Sequence, residues 1–303
     1  MRVLVCDTIH EDGIEKLRQT EFDVDVKTTI SHEELRNTVS DYNALIVRSR
    51  TKVTKEIIEA GKQLKAIGRA GVGLDNIDLE TAKKRGITVL NTPEAPSEAV
   101  AELTIGLMIS LARHISLADR TMKDGKWIKK KLRGWELKGK TLGVVGLGNV
   151  GEKMAKIAKA MGMKILITKR TPPKPELLRE LEGEFIPLPE LLQRSDVITI
   201  HVPLTPQTNH MIGAKEFQLM KNGAFFINTS RGAIVDEKAL LEALQSGKLG
   251  GAALDVYETE PPTDLTLMGL PNVICTCHIG AQTKEGQRAA AILIAEKIIN
   301  SFR

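Results

Sequence analysis

One stretch, Gly146-Leu147-Gly148-Asn149-Val150-Gly151, constrains this chain more than any other. It follows the apolar run Lys140–Val145 and opens the amphipathic run Val150–Met161, after which comes a second apolar run, Lys164–Thr168. Between a strand and a helix, the first glycine makes the tight turn and the second lets a pyrophosphate approach the backbone. The third allows close helix–strand packing, and the helix N-terminus offers free N–H groups and a positive dipole end. Glycines also mark ordinary turns, so the pattern alone is weak. With strand, helix and strand at these distances it predicts a dinucleotide site on a parallel sheet. Gly146, Gly148, Asn149, Val150 and Gly151 are the first candidate cofactor contacts.

The rest of the chain repeats this α/β style. Apolar runs at Val3–Cys6, Ala44–Val47, Leu64–Ile67 and Ile87–Leu90 alternate with amphipathic runs such as Glu11–Arg18 and Lys55–Ala60. Ser31 with Glu34 three residues on reads as a helix start. Later strands are expected at Val197–His201, Ala224–Asn228, Gly251–Asp255 and Val273–Cys275. The segment from Ser97 to Trp127, rich in Ala, Leu and Ile, predicts one long helix ending near Gly125, a domain bridge or a homodimer contact. The final run, Glu285–Phe302, has no strand left to feed and is expected to pack back on the first domain. The expected architecture is therefore α/β, with two Rossmann-like or flavodoxin-like doubly wound parallel-sheet domains and an active-site cleft between them. The boundaries are a discontinuous substrate-binding domain, 1–96 plus 285–303, and a dinucleotide-binding domain, 97–284.

Composition narrows the partners. The 303 residues are 42% apolar but only 3% aromatic, so the cores must be built from Val, Ile, Leu, Ala and Met. The net charge of +5 is spread out, apart from Lys129, Lys130, Lys131 and Arg133, and no nucleic-acid motif accompanies that run. Spread positive charge suits an enzyme that attracts anionic small molecules. The N-terminus reads as a strand and not a signal peptide, and Leu103–Ala112 is too short to span a bilayer. Cys6, Cys275 and Cys277 are expected as buried, reduced thiols. No metal, membrane or nucleic-acid partner and a cytoplasmic location are expected.

Three motifs each begin where a predicted strand ends: Asn228-Thr-Ser-Arg231-Gly232, Asp255-Val-Tyr-Glu-Thr-Glu260-Pro261 and His278-Ile-Gly280-Ala281. Reducing a 2-keto acid needs a cation to hold the carboxylate and polarise the carbonyl. It also needs a proton donor for the developing alkoxide and a partner to orient that donor. Arg231, His278 and Glu260 are those three types. Singly, each has a bland explanation: an Arg-Gly turn, a loop-starting Glu-Pro and a structural histidine such as His10, His32, His114, His201 or His210. Jointly, behind a phosphate loop, they form a catalytic candidate.

With Ile46-Val-Arg-Ser49 and Gly68-Arg-Ala-Gly-Val-Gly-Leu-Asp-Asn-Ile-Asp78 added, the chain resembles the D-isomer-specific 2-hydroxyacid dehydrogenases from Met1 to about Ala290. The resemblance implies that Arg231 binds the substrate carboxylate and keto oxygen, that His278 is the general acid/base and that Glu260 hydrogen-bonds His278. It implies that Asp255 lies near the nicotinamide, and that Val72, Val202, Pro203, Thr229, Ser230, Gly280 and Ala281 line the cofactor, mostly through backbone. Arg48, Ser49 and Arg69 match positions that hold a substrate phosphate in the branch acting on 3-phosphoglycerate. Gly71, Val72, Gly73 and Asn76 would hold the carboxylate end.

The expected reaction is therefore oxidation of 3-phosphoglycerate to 3-phosphohydroxypyruvate, the entry to serine synthesis. An NADPH-linked glyoxylate, hydroxypyruvate or general 2-keto-acid reductase is the alternative, and a dinucleotide-sensing corepressor of the same fold is a distant one. Two departures stand out. Cys277 precedes the histidine where the family often has proline. Lys169 and Arg170 stand eighteen and nineteen residues after Gly151, where an acid for the ribose hydroxyls of NAD is expected. Two cations there favour the 2′-phosphate of NADP, so the cofactor is NAD or NADP. The resemblance also implies no regulatory extension after Arg303.

Overall fold

The computed structural model describes all residues, Met1–Arg303. They form two compact units, Met1–Ala99 with Ala281–Arg303, and Val100–Gly280.

The first unit alternates strand and helix: β1 (Arg2–Val5), α1 (Glu11–Arg18), β2 (Asp23–Val26), α2 (His32–Thr38), β3 (Ala44–Val47), α3 (Lys55–Ala60), β4 (Ala66–Arg69), α4 (Leu79–Lys84) and β5 (Thr88–Asn91). All five strands are parallel, in the order β2-β1-β3-β4-β5, the flavodoxin-like arrangement. The central strand β3, Ala-Leu-Ile-Val, is buried at every position because helices cover both faces. The edge strand β2 escapes a search for apolar runs because it reads Asp-Val-Asp-Val. Ser31 caps α2 by accepting from the Glu34 N–H at 3.1 Å. The C-terminal helix, Lys284–Ser301, belongs to this unit and buries Ala291, Ile294, Ala295 and Ile298. It crosses α1 backbone to backbone, since a Cβ on Gly13 would lie 2.5 Å from the Ala291 carbonyl oxygen.

The second unit takes α5 (Ser97–Arg113) from Val100 onward, then α6 (Ile115–Lys123), β6 (Thr141–Val145), α7 (Asn149–Ala160), β7 (Lys164–Thr168), α8 (Pro175–Leu181), β8 (Glu184–Phe185), α9 (Leu188–Arg194), β9 (Val197–Ile200), α10 (Ala214–Leu219), β10 (Ala224–Asn228), α11 (Glu237–Gln245), β11 (Leu249–Leu254) and β12 (Val273–Cys275). Its seven parallel strands run β12-β11-β10-β9-β6-β7-β8, the doubly wound order that reverses between β6 and β9.

The single helix expected from Ser97 to Trp127 is instead two, bent by 68°. His114 between them adopts a left-handed backbone (φ +52°). The carbonyl of Ala112, near the end of α5, accepts from the Trp135 N–H at 3.0 Å. Gly134 permits this return, since a Cβ there would sit 2.2 Å from that same oxygen. Along α5, Ala101, Met108 and Ala112 are fully buried, while Gly106 lies on the exposed side with nothing within 4 Å of where a Cβ would stand. Further exposed apolar surface lies on Ile115, Met122 and Trp127, the last 77% exposed. No single helix is long and apolar enough to cross a membrane.

The cysteine expectation also needs correction. Cys6 is buried, and desolvation pushes its thiol up to about 12. Cys275 and Cys277 are exposed, because β12 is a three-residue edge strand with only one neighbour.

Candidate active site

The sheet register of the second unit gathers its candidate residues. Thr168, Val145, Ile200, Asn228, Leu254 and Cys275 are aligned partners across six adjacent strands. Lys169, Gly146, His201, Thr229, Asp255 and Thr276 each follow one of them, so the loops after these strands share the carboxyl edge of one sheet, where ligands of open α/β sheets bind.

The glycine loop fits a dinucleotide. Gly146 has φ +97°, and a Cβ there would press 2.7 Å from the His201 carbonyl oxygen. A Cβ on Gly151 would come within 2.1 Å of the Gly146 carbonyl oxygen, so α7 docks on its strand only without one. At Gly148, which caps α7, a Cβ would meet nothing within 4 Å. That bare surface before the free N–H groups of α7 is where a pyrophosphate can approach. Asn149 and Val150 form the first turn of the helix. Val202 is half-buried and Pro203 exposed beside them. Desolvation pulls the His201 imidazole down to about 4, so it is neutral near pH 7 and supplies no charge there.

At the end of β7, the half-buried Lys169 donates from Nζ to the Leu147 carbonyl at 3.3 Å, which ties an ammonium to the glycine loop itself. Arg170 beside it is exposed.

Beyond β10 an Asx turn sets up Arg231. Asn228 Oδ1 accepts from the N–H and hydroxyl of Ser230 at 3.0 and 2.8 Å, and its Nδ2 donates to the Arg231 carbonyl at 2.8 Å. The Thr229 side chain is buried against Thr104 Oγ1 at 3.0 Å, leaving only its backbone for a ligand. Gly232 packs on the main chain of Tyr257, because a Cβ there would lie 1.8 Å from the Tyr257 carbonyl carbon. This contact seats the Arg231 loop on the loop that carries Glu260.

Glu260 works in two directions. Its Oε1 accepts from the Tyr257 N–H at 3.1 Å, and its Oε2 lies 2.7 Å from His278 Nδ1. A carboxylate only accepts, so Nδ1 carries the hydrogen of that bond and Nε2 is the ring nitrogen left open to exchange a proton. His278 is 47% exposed along its side chain and has φ +54°, a conformation that costs a non-glycine residue about 1–3 kcal/mol unless the surroundings enforce it.

Asp255 does the enforcing. Fully buried at the end of β11, it accepts at Oδ1 from Thr276 Oγ1 (2.6 Å) and the Ile279 N–H (2.8 Å), and at Oδ2 from the Gly280 N–H (2.8 Å). Its carbonyl also accepts from the His278 N–H at 2.8 Å. Asp255, expected as a cofactor contact, thus grips the histidine turn. Sequence reading missed Asn228, Thr276 and Tyr257 as supports; of these only the asparagine, a strong Asx-turn former, gave a local signal.

In the first unit, Val47 and Arg69 are aligned partners, so Arg48 and Arg69 end neighbouring strands. Arg48, Gly71 and Ala281 line one small cavity of about 20 Å³. The Arg69 guanidinium lies over Gly71, where a Cβ would come 2.2 Å from its Nη1. Ser49 is exposed, and so is Val72; Gly73 is half-buried in the same loop. Asn76, expected at the substrate carboxylate, instead donates from Nδ2 to the Arg48 and Thr51 carbonyls, both at 2.7 Å.

A hollow of about 750 Å³ in the second unit opens near the other end of its sheet beside Thr141 and Lys164. Three of its cations are already paired, Arg194 with Glu184, Lys159 with Glu182 and Lys221 with Asp196. It carries no grouping comparable to the one above.

Residues 105–280 match the family described as D-isomer specific 2-hydroxyacid dehydrogenase, NAD binding domain. The chain belongs to this family. It is 49% identical to a D-3-phosphoglycerate dehydrogenase of Methanocaldococcus jannaschii over all of its own length but only 58% of that relative's. It is 48% identical to a hydroxypyruvate reductase of Thermotoga maritima, covering 99% of this chain and 98% of the other. Among solved structures, a glyoxylate reductase from Paecilomyes thermophila superposes with a TM-score of 0.92 at 32% identity, covering 100% of this chain and 95% of that one.

Proposed function

We propose that the chain transfers a hydride between a nicotinamide dinucleotide and a D-2-hydroxy acid, with 3-phosphoglycerate and 3-phosphohydroxypyruvate as the reacting pair. The observation that carries the chemistry is the His278–Glu260 contact of 2.7 Å, on a turn gripped by Asp255 and beside the Arg231 loop. In the oxidative direction His278 Nε2 takes the hydroxyl proton while Arg231 holds the carboxylate and the forming keto oxygen. Glu260 stabilises the imidazolium that results and fixes its ring. In reduction the same nitrogen returns the proton. The bound nicotinamide supplies the hydride acceptor or donor, and Gly146–Gly151 with the backbone at Val202 and Thr229 would hold it.

The phosphorylated substrate is favoured by Arg48 and Arg69, which end adjacent strands. A guanidinium gives charge-assisted, forked bonds to a dianionic phosphate. Initial rates on 3-phosphoglycerate and hydroxypyruvate, each with NAD(H) and NADP(H), test this. A preference for the phosphorylated substrate that collapses in Arg48→Ala supports it; fast hydroxypyruvate reduction, indifferent to that change, would replace it with the second reading.

That second reading, an NADPH-linked hydroxypyruvate or glyoxylate reductase, has its own support in Lys169, whose ammonium is held at the glycine loop with Arg170 next to it. A hydroxypyruvate reductase is also among the relatives, at 48% identity. We place the 2′-phosphate of NADP at these two cations. Lys169→Asp is expected to raise the KM for NADP by about tenfold or more and to lower that for NAD, since an acid there accepts from ribose hydroxyls and repels phosphate. An unchanged ratio of the two KM values would refute the placement.

A further inference from the structure

Resting on the reading of Arg48 and Ser49 as substrate contacts, we propose that Asp7 is a positioning residue for substrate binding: its buried carboxylate, opposed by the Asn76 amide, fixes the Arg48–Thr51 loop that presents them. Asp7 follows β1 closely and its side chain is only 4% exposed. Its Oδ2 accepts from the backbone N–H groups of Arg48 and of Thr51, the latter at 3.2 Å. Its Oδ1 accepts from Thr51 Oγ1 at 2.7 Å and lies 3.0 Å from Arg50 Nη2. From the other side, Asn76 Nδ2 donates to the carbonyls of Arg48 and Thr51. The four-residue loop is therefore gripped by its N–H groups from one residue and by its carbonyls from another.

The charges divide usefully. Arg50 is the guanidinium that meets the Asp7 carboxylate, and it also donates to the carbonyls of Cys6 and Ile30. The Arg48 guanidinium donates to the Thr8 carbonyl at 3.2 Å and meets no carboxylate, so it keeps its charge for a ligand. A buried carboxylate is costly unless donors fill its lone pairs. Here every donor belongs to the loop, so the carboxylate is spent on one loop conformation. A loop held in its binding form before the ligand arrives loses less entropy on binding, and that gain appears in substrate affinity.

The test is Asp7→Asn in the full chain, measured with 3-phosphoglycerate as the varied substrate. The amide turns an N–H toward loop donors that in the parent meet a carboxylate oxygen, and the loop loosens. KM for 3-phosphoglycerate is expected to rise about tenfold, with kcat and the KM for the dinucleotide within about twofold of the parent. A purely structural role would lower the melting temperature without splitting the two KM values. A folded variant with unchanged KM for 3-phosphoglycerate, or with both KM values raised together, overturns the proposal. If Asp7→Asn does not fold, Thr51→Val removes one donor to Asp7 while keeping the side-chain shape. It should show the same split at about threefold, and no split overturns the proposal. Arg48→Ala measured alongside separates the two levels: a raised KM there with none in Asp7→Asn sinks only the role of Asp7, and no effect in Arg48→Ala sinks both.

Discussion

His278→Ala is expected to lower kcat by about 10³-fold, the range that one positioned acid/base contributes, while the dinucleotide Kd stays within about twofold. The imidazole is the group whose free nitrogen is defined by its other contact. Glu260 Oε2 at 2.7 Å from Nδ1 assigns the tautomer, and the grip of Asp255 on Ile279 and Gly280 holds the left-handed turn at residue 278. Those Asp255 contacts are to backbone and survive the change to alanine, so the turn and the cofactor edge should remain. Single-turnover kinetics separate the proton-coupled hydride step from binding, and dinucleotide fluorescence gives the Kd. A turnover number unchanged from the parent would remove His278 from the chemistry, and a parallel loss of dinucleotide affinity would make its role structural.

What the sequence made legible follows from where the physics is local. A glycine is the only residue that Gly146 and Gly151 can be, one for its φ of +97° and the other for a 2.1 Å approach, so their spacing by itself marks the loop. The continuous apolar run of β3, and the Val-Ile-Thr-Ile of β9 broken only by a threonine, likewise mark strands buried on both faces. The break at His114 was not legible, because Leu-Ala-Arg-His-Ile-Ser contains no breaker and the Ala112 carbonyl is captured by Trp135, far along the chain. The same holds for the grip of Asp255 on the histidine turn and for the two-sided hold on the Arg48 loop by Asp7 and Asn76. Each depends on strand register that pairs residues more than twenty positions apart. Asn76 shows the consequence: a polar residue in a functional loop read as a ligand contact, yet its donors serve the loop itself.

Arg231→Ala is expected to lower kcat/KM by about 10³-fold or more, through both KM and kcat, because the side chain is asked to do two things. In the proposed mechanism it binds the carboxylate in the ground state and stabilises the charge that develops on the keto oxygen only as the hydride moves. The backbone carbonyl of Arg231 is held by Asn228, and the neighbouring Gly232 is packed on Tyr257, so truncating the side chain leaves the turn in place. Arg231→Lys separates the two tasks. A lysine keeps the charge but loses the planar fork, so KM should recover more than kcat does. If lysine restored both fully, a point charge would suffice and forked recognition would be excluded. If alanine left kcat intact and raised only KM, Arg231 would be a binding group alone. The stabilisation of the developing oxyanion would then have to come from His278.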